Sequence, residues 1–270
     1  MRKLIHVSDL HFGRHEPALA EALLHAIDET RPDLVVVSGD LTQRARHEQF
    51  AAARAFLARI RAPVLVVPGN HDVPLWNPVR RFVRPLARYR RYVSSVREPA
   101  WCDEEIAVLG LDTARRFPFT NGRVSAEQMT SVRRFFATSD RPIKILVTHH
   151  PLTLPAGADA GRFDPVGRAR AALDAIAAAG VHLMLSGHFH ASASGAAAHA
   201  AEVTGPAHSV LVVHAGTAIS TRTRDEANAW NLLCVENEAV EVAVMTASGD
   251  RFAETRRDRY RWHGGAWRAG

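Results

Sequence analysis

Six short apolar runs rich in branched residues punctuate the chain: Leu4 to Ser8, Leu34 to Ser38, Val64 to Val67, Ile106 to Asp112, Ile143 to Thr148 and Leu183 to Ser186. Their length and composition predict β-strands, and most of them end in a polar motif. Between them, residues 17–29, 46–60, 125–138 and 165–179 carry apolar positions at helical spacing, which predicts amphipathic helices. Ser125 and Gln128 fit a capping box at the start of one of these. After Gly187 the texture changes. An Ala-rich stretch, Ala191 to Ala201, reads as a loop. It precedes Val210 to His214, Trp230 to Val235 and Val240 to Met245, which have no long helix between them and read as antiparallel strands. Two sheets face to face with helices outside is the simplest assembly of this α/β pattern. With no internal repeat and no interdomain linker, residues 1–270 are expected to form one domain.

Composition fits a packed globular chain. Of the 270 residues 47% are apolar and 23% charged, far from the signature of disorder. No segment reaches the ~18 uninterrupted apolar residues of a membrane span. The N-terminal run from Met1 to Asp9 enters a strand with no apolar leader, so a cytoplasmic location is expected. Cys102 and Cys234 lack any CxxC spacing and are expected to be buried, reduced residues.

The net charge of +6 suggests an anionic partner until it is located along the chain. Residues 76–97 hold seven arginines (Arg80, Arg81, Arg84, Arg88, Arg90, Arg91 and Arg97) and no acid, which leaves the remainder near neutrality. In the same stretch Phe82, Leu86, Tyr89 and Val93 recur at helical spacing, so one face is expected to pack on the body while several arginines stay exposed. Pro85 kinks or divides such a helix. Residues 74–100 therefore read as an inserted basic helical cap, and a solvated basic face is the plain alternative to a substrate-guiding one.

The chemistry gathers at strand ends, where an α/β sheet places its ligands. Five clusters stand there: Asp9-Leu10-His11, Gly39-Asp40, Gly69-Asn70-His71-Asp72, His149-His150-Pro151 and Gly187-His188-Phe189-His190. Each alone has a bland explanation as a turn or a cap. Together they supply carboxylates, an amide and imidazoles without a thiolate, a donor set that suits two borderline-to-hard metal ions. A pair of ions roughly 3.5–4 Å apart can hold a hydroxide between them and orient a phosphoryl group for in-line attack.

These motifs, in this order, resemble the calcineurin-like metallophosphoesterase superfamily, whose pattern DxH, GD, GNH(D/E), H, GHxH is matched across residues 9–190. The run Ser8-Asp9-Leu10-His11-Phe12-Gly13 and the His149-His150-Pro151 element look like the bacterial class III cyclic-nucleotide phosphodiesterase group. The resemblance implies a four-layered αββα sandwich of two mixed sheets flanked by helices. It implies that Asp9, His11, Asp40 and His190 hold one metal and that Asp40, Asn70, His149 and His188 hold the other, with Asp40 bridging. The ions would be divalent or trivalent: Mn, Fe or Zn. His71 would face the phosphate and protonate the leaving oxygen, with Asp72 fixing its tautomer and orientation. The choice of His149 over His150 rests on the family's His-x-Pro element, and His150 is left as a residue behind the ligands or against substrate. His6, His25, His47 and His214 match no motif and read as structural or surface residues.

The expected activity is hydrolysis of a phosphodiester, a cyclic nucleotide or another small diester. Phosphomonoesters are the nearest alternative. A nuclease or a membrane-surface phospholipid hydrolase working through residues 76–97 is a third reading. A non-catalytic interaction protein is the least favoured, because no expected ligand is missing.

Overall fold

The computed structural model describes residues 1–75, 77–117, 121–153, 166–190, 192–197, 209–222 and 226–270. In the first sheet β1 (Arg2–Val7), β2 (Leu34–Val37) and β3 (Val64–Val66) run parallel, linked through α1 (Pro17–Thr30) and α2 (His47–Leu57). β10 (Ala229–Val235) pairs antiparallel with β1, and β11 (Ala239–Ser248), β12 (Arg251–His263) and β13 (Ala266–Ala269) extend the sheet in antiparallel register. The strand order is β13-β12-β11-β10-β1-β2-β3.

The second sheet has the order β4-β5-β6-β7-β9-β8, built from Ala100–Cys102, Ile106–Leu111, Ile143–Thr148, Leu183–Ser186, Val210–His214 and Ala193–Ala197 respectively. β5, β6, β7 and β9 are parallel, and β4 and β8 close the edges in antiparallel pairing. On this sheet pack α5 (Ala126–Ala137) and α6 (Ala169–Ala178).

Alternation along the central strands sorts their side chains into layers. Val35 and Val37 of β2 join Leu23, Ile27 and Phe50 of the helices, whereas Leu34 and Val36 meet Val108, Ile145 and Leu185 of the opposite sheet. Leu109 and Leu146 point the other way, onto Val132, Phe136 and Leu173 of α5 and α6. Three apolar interfaces between helix, sheet, sheet and helix are the four expected layers. Because both faces of each central strand are covered, the strands read as continuous apolar runs.

Several expectations need correction. Part of the Ala-rich stretch is strand β8 rather than loop; Ala191 and 198–201 lie outside the described residues. β9 is parallel to β7, not part of an all-antiparallel set. β12 and β13 were not foreseen. Helix α6 begins at Ala169, and residue 165 of the anticipated 165–179 helix lies outside the described residues. Cys102 is exposed and Cys234 half-buried, and both are free thiols.

The basic segment forms two short helices, α3 (Pro78–Val83) and α4 (Ala87–Tyr92), with Trp76 outside the described residues. They part at Pro85, which can neither donate an N–H nor let the preceding residue stay helical. Leu86 and Tyr89 are buried on the body as expected, and the Tyr89 hydroxyl donates to the Val66 carbonyl at 2.9 Å. Phe82 is 46% exposed, and its helix ends at Val83, so it does not continue the apolar face of Leu86 and Tyr89. Two arginines are structural rather than free. Arg81 is buried and donates to the carbonyls of Pro74, Arg115 and Arg116, and Arg88 donates to the carbonyl of Ala45 at 2.6 Å. Arg80, Arg84, Arg90, Arg91 and Arg97 remain exposed.

Candidate metal centre

All five motif clusters lie just beyond the carboxyl ends of parallel strands β1, β2, β3, β6 and β7, and the two sheets bring those ends together. The chain must turn sharply there. Asp9, His11, Asp40, His188 and His190 all adopt left-handed backbone, with φ of 54°, 48°, 50°, 76° and 61°. Such conformations each cost on the order of 1–3 kcal/mol and persist only where the surroundings enforce them. Two glycines make the approach possible. Gly39 has φ 103°, and a Cβ there would stand 2.5 Å from His149 Nδ1, while a Cβ on Gly69 would collide with the Asp40 carboxylate.

Each carboxylate has one oxygen pinned by the protein and one left over. Asp9 Oδ2 accepts from the Ser8 hydroxyl at 2.6 Å and the His188 N–H at 3.1 Å. Its Oδ1 is buried without a hydrogen-bond partner, 3.1 Å from His190 Nε2 and 3.5 Å from His11 Nε2. Asp40 Oδ1 accepts the His71 N–H at 2.8 Å. Its Oδ2 lies 3.9 Å from His11 Nε2 and 3.4 Å from His149 Nε2.

The imidazoles are oriented the same way. His149 donates from Nδ1 to the Ser38 carbonyl at 2.8 Å, and His190 from Nδ1 to the Arg222 carbonyl at 3.1 Å. Both rings therefore turn the Nε2 lone pair inward. His149 Nε2 faces Asn70 Oδ1 at 3.1 Å and His188 Nδ1 at 3.3 Å. Acceptor atoms 3.1–3.9 Å apart repel unless a cation or proton sits between them, and these separations are the spans of ligands bonded to one ion at about 2.0–2.2 Å. The clustered carboxylate and imidazole atoms fit metal coordination.

Without metal, protons take that place. Burial disfavours charge on His149, but the carboxylates of Asp40 and Asp9 outweigh it and raise its pKa to about 9. Burial opposes ionisation of Asp40 as well, yet His149, His71 and His11 hold it well below the ordinary carboxylate range, and the imidazoles around Asp9 do the same there. Burial and the neighbouring His149 push His188 down to about 4.

His71 stands at the edge of the cluster, with a ring nitrogen within 4.8 Å of ligand atoms of His11 and Asp40. Its Nδ1 donates to the Gln43 carbonyl at 2.9 Å, and its Nε2 accepts from Arg222 Nη1 at 3.2 Å. Burial lowers its pKa, and Arg222 adds to that. Asp72, expected to orient this ring, instead binds the backbone. Its carboxylate accepts from the N–H groups of Leu41 (3.2 Å), Thr42 (2.9 Å) and Gly69 (3.0 Å) and from the Thr42 hydroxyl (2.9 Å). The 3-10 turn Asn70–Asp72 aims that side chain back at the loop after β2, so the tautomer of His71 is set by Gln43.

His150 is buried, with Nδ1 2.9 Å from the Thr113 hydroxyl. It also offers an atom within 4.8 Å of His149 and His188, a trio without a carboxylate. Arg222 and Gln43 are the residues the sequence reading missed. Arg222 follows the polar run Ser220-Thr221 but belongs to no motif, and Gln43 acts through a backbone carbonyl that its side chain does not advertise.

A two-sheet α/β sandwich carrying paired Asp, Asn and His clusters at its strand ends is the architecture of a metallophosphoesterase. The calcineurin-like phosphoesterase profile matches residues 2–192, and the chain belongs to that family. It is similar to the glycerophosphodiester phosphodiesterase GpdQ of Enterobacter lignolyticus (38% identical over 81 residues, 26% of this chain and 29% of that protein). It is also similar to the 3',5'-cyclic adenosine monophosphate phosphodiesterase CpdA of Escherichia coli K12 (30% over 173 residues, 57% of each chain). The matched stretches thus span less than two thirds of these relatives. Among solved structures, the fold is shared with the purple acid phosphatase PPD1 of yellow lupin (TM-score 0.72, 12% identity, 95% of this chain and 53% of that one). A dimetal phosphatase from Danio rerio shares it too (TM-score 0.66, 14% identity, 94% and 98%).

Proposed function

We propose that this chain is a dinuclear metal-dependent phosphodiesterase acting on a cyclic nucleotide or another small diester. The observation that carries the reading is Asp40 Oδ2, buried between His11 Nε2 and His149 Nε2 and so able to serve two ions at once. In this reading Asp9, His11, Asp40 and His190 hold one ion, and Asp40, Asn70, His149 and His188 the other. Mn, Fe and Zn all suit the donors. His150, tied to Thr113, supports the neighbouring ligand rather than binding metal. When bound, the ions would activate water and neutralise charge on the phosphoryl oxygens.

The protein's own groups supply the rest. Arg222 and His71 present a guanidinium and an imidazole to one point beside the ligand cluster, where a phosphoryl oxygen and a leaving oxygen can be received. With Nδ1 held by Gln43, His71 can carry a transferable proton only on Nε2. The Arg222 N–H directed at that nitrogen favours the neutral ring, so substrate must draw Arg222 onto its phosphate before His71 can act as the acid. Similarity to two proteins named as phosphodiesterases supports diesters over monoesters.

Residues 1–270 are read as one functional unit with 74–100 as its cap. No helix among the described residues is long and apolar enough to cross a membrane. The two free thiols accord with a reducing, cytoplasmic setting. Metal-reconstituted protein assayed against cyclic nucleotides, linear diesters, monoesters and phospholipids tests the reading. Faster turnover of a monoester or a phospholipid than of any diester would refute it.

A further inference from the structure

Beside the metal centre lies a cavity of about 440 Å³ walled by Arg14, Arg44, Arg46 and Arg222, with Gln43 and Gln49 between them. Its walls come from the loops after β1, β2 and β9 and from the first turn of α2. No acidic side chain lines it among the described residues. Glu48 reaches Arg46 only at 4.0 Å, with both side chains more than half exposed, too weak a pair to cancel the charge. A smaller cavity of about 150 Å³ is lined by Asn70 and His71 and shares Gln43 and Arg44 with the larger one, so the cationic chamber adjoins the proposed reaction centre.

The chamber is built, not merely a run of basic surface. Gln49 Oε1 accepts the N–H groups of Arg44 at 2.8 Å and Arg46 at 3.3 Å, which fixes the loop from which both arginines project. The intervening Ala45 is held in left-handed backbone (φ 50°), with its N–H on the Thr42 hydroxyl and its carbonyl on Arg88. The Gln43 side-chain oxygen is buried with no hydrogen-bond partner. The same loop supplies the carbonyl that orients His71, so the arginines and the reaction centre keep a fixed relation.

We propose that this chamber binds a second phosphoryl group of the substrate, one that is not cleaved, and that the preferred substrate is therefore a diester bearing an additional phosphate. A diester carries a single charge, which the metal centre with Arg222 already answers. The guanidiniums of Arg14 and Arg46 exceed what it needs, and their forked donors match phosphate oxygens. The proposal rests on the phosphodiesterase reading for the bond that breaks.

The test compares thymidine 5′-(4-nitrophenyl phosphate) with the same compound carrying a 3′-phosphate, in wild type and in Arg14→Ala/Arg46→Ala, both metal-loaded. The added phosphate is expected to raise kcat/KM about tenfold in wild type, the worth of one charge-assisted hydrogen bond. The variant should lose that gain yet hydrolyse bis(4-nitrophenyl) phosphate like wild type. A gain absent from wild type, or equally large in the variant, overturns the proposal. A binding arm is independent of turnover. Metal-free wild type should prefer thymidine 3′,5′-bisphosphate over thymidine 5′-phosphate, and the variant should not; equal preference overturns the proposal. Wild type inactive on every diester would refute the phosphodiesterase reading alone, and the binding ratio then decides this one.

Discussion

Arg222 Nη1 lies 3.2 Å from His71 Nε2, so a guanidinium on the loop after β9 donates to an imidazole on the turn after β3. That bond favours neutral His71. Replacing Arg222 with Gln should raise the titration midpoint of His71 in the metal-free protein, followed by nitrogen chemical shifts. It should also slow diester hydrolysis by roughly 10²-fold or more, as loss of an aimed donor does. An unmoved midpoint would show that the two groups are not coupled.

Asp40 Oδ2 lies between His11 Nε2 and His149 Nε2 and is the proposed bridge. Asp40→Ala should retain neither ion by elemental analysis and lose turnover. His71→Ala should keep both and slow hydrolysis roughly 10²–10⁴-fold, less for good leaving groups. One retained ion in Asp40→Ala would mean that the two sites do not share this residue.

His149 predicts how metal affinity depends on pH. In the metal-free site it holds its proton up to about pH 9, so below that an ion must displace it. Mn²⁺ affinity should therefore rise from pH 6.5 toward 9, by at most about tenfold per pH unit for this one proton. The metal-free protein behaves in the opposite sense. A raised imidazole stabilises the fold fully below pH 6.5 and loses that contribution as pH climbs through about 9. Affinity flat over this range would count against His149 as a ligand.

Two buried imidazoles should limit acid tolerance. His214 meets the Ser186 hydroxyl at 2.7 Å and His6 meets the Ser38 hydroxyl at 2.9 Å, and burial lowers them to about 4 and about 3. The unfolded chain takes up these protons near pH 6.5 while the folded one does not, so stability falls with pH across that window. For His214 the loss by pH 4 is on the order of 3 kcal/mol. Urea titrations at pH 7 and 4.5 should show a shallower loss in His214→Gln; identical slopes would exclude the effect.

Asp72 should prove a stability residue. Asp72→Ala strands the N–H groups of Leu41, Thr42 and Gly69, at about 1–3 kcal/mol for each that finds no water. Chemical denaturation should register a loss of several kcal/mol, while the His71 tautomer, read by nitrogen shifts, stays as it was. A changed tautomer would restore the orienting role to Asp72.

The central strands were legible because burial on both faces writes an uninterrupted run such as Leu34 to Val37. β12 was not, because it faces largely outward. Its Arg257 pairs with Glu241 and Glu254 in place of any apolar period. Ala193–Ala197 hid a strand behind residues with little β-propensity. The Asp and His clusters that the fold brings together were readable from side-chain identity at strand ends. The wiring behind them runs through the carbonyls of Ser38, Gln43 and Arg222, and a carbonyl is the same in every residue. Sequence likewise could not tell buried Arg81 from exposed Arg80.

The left-handed backbone at Asp9, His11, Asp40, His188 and His190 bears on any effort to make this protein hardier. A selection for heat resistance alone would favour glycine or asparagine at these five places, since either relaxes the local torsion. Every such gain would remove or weaken a proposed metal donor. Hardening by substitution is therefore better confined to β11, β12 and β13 and to the outward faces of α5 and α6, away from the strand-end clusters.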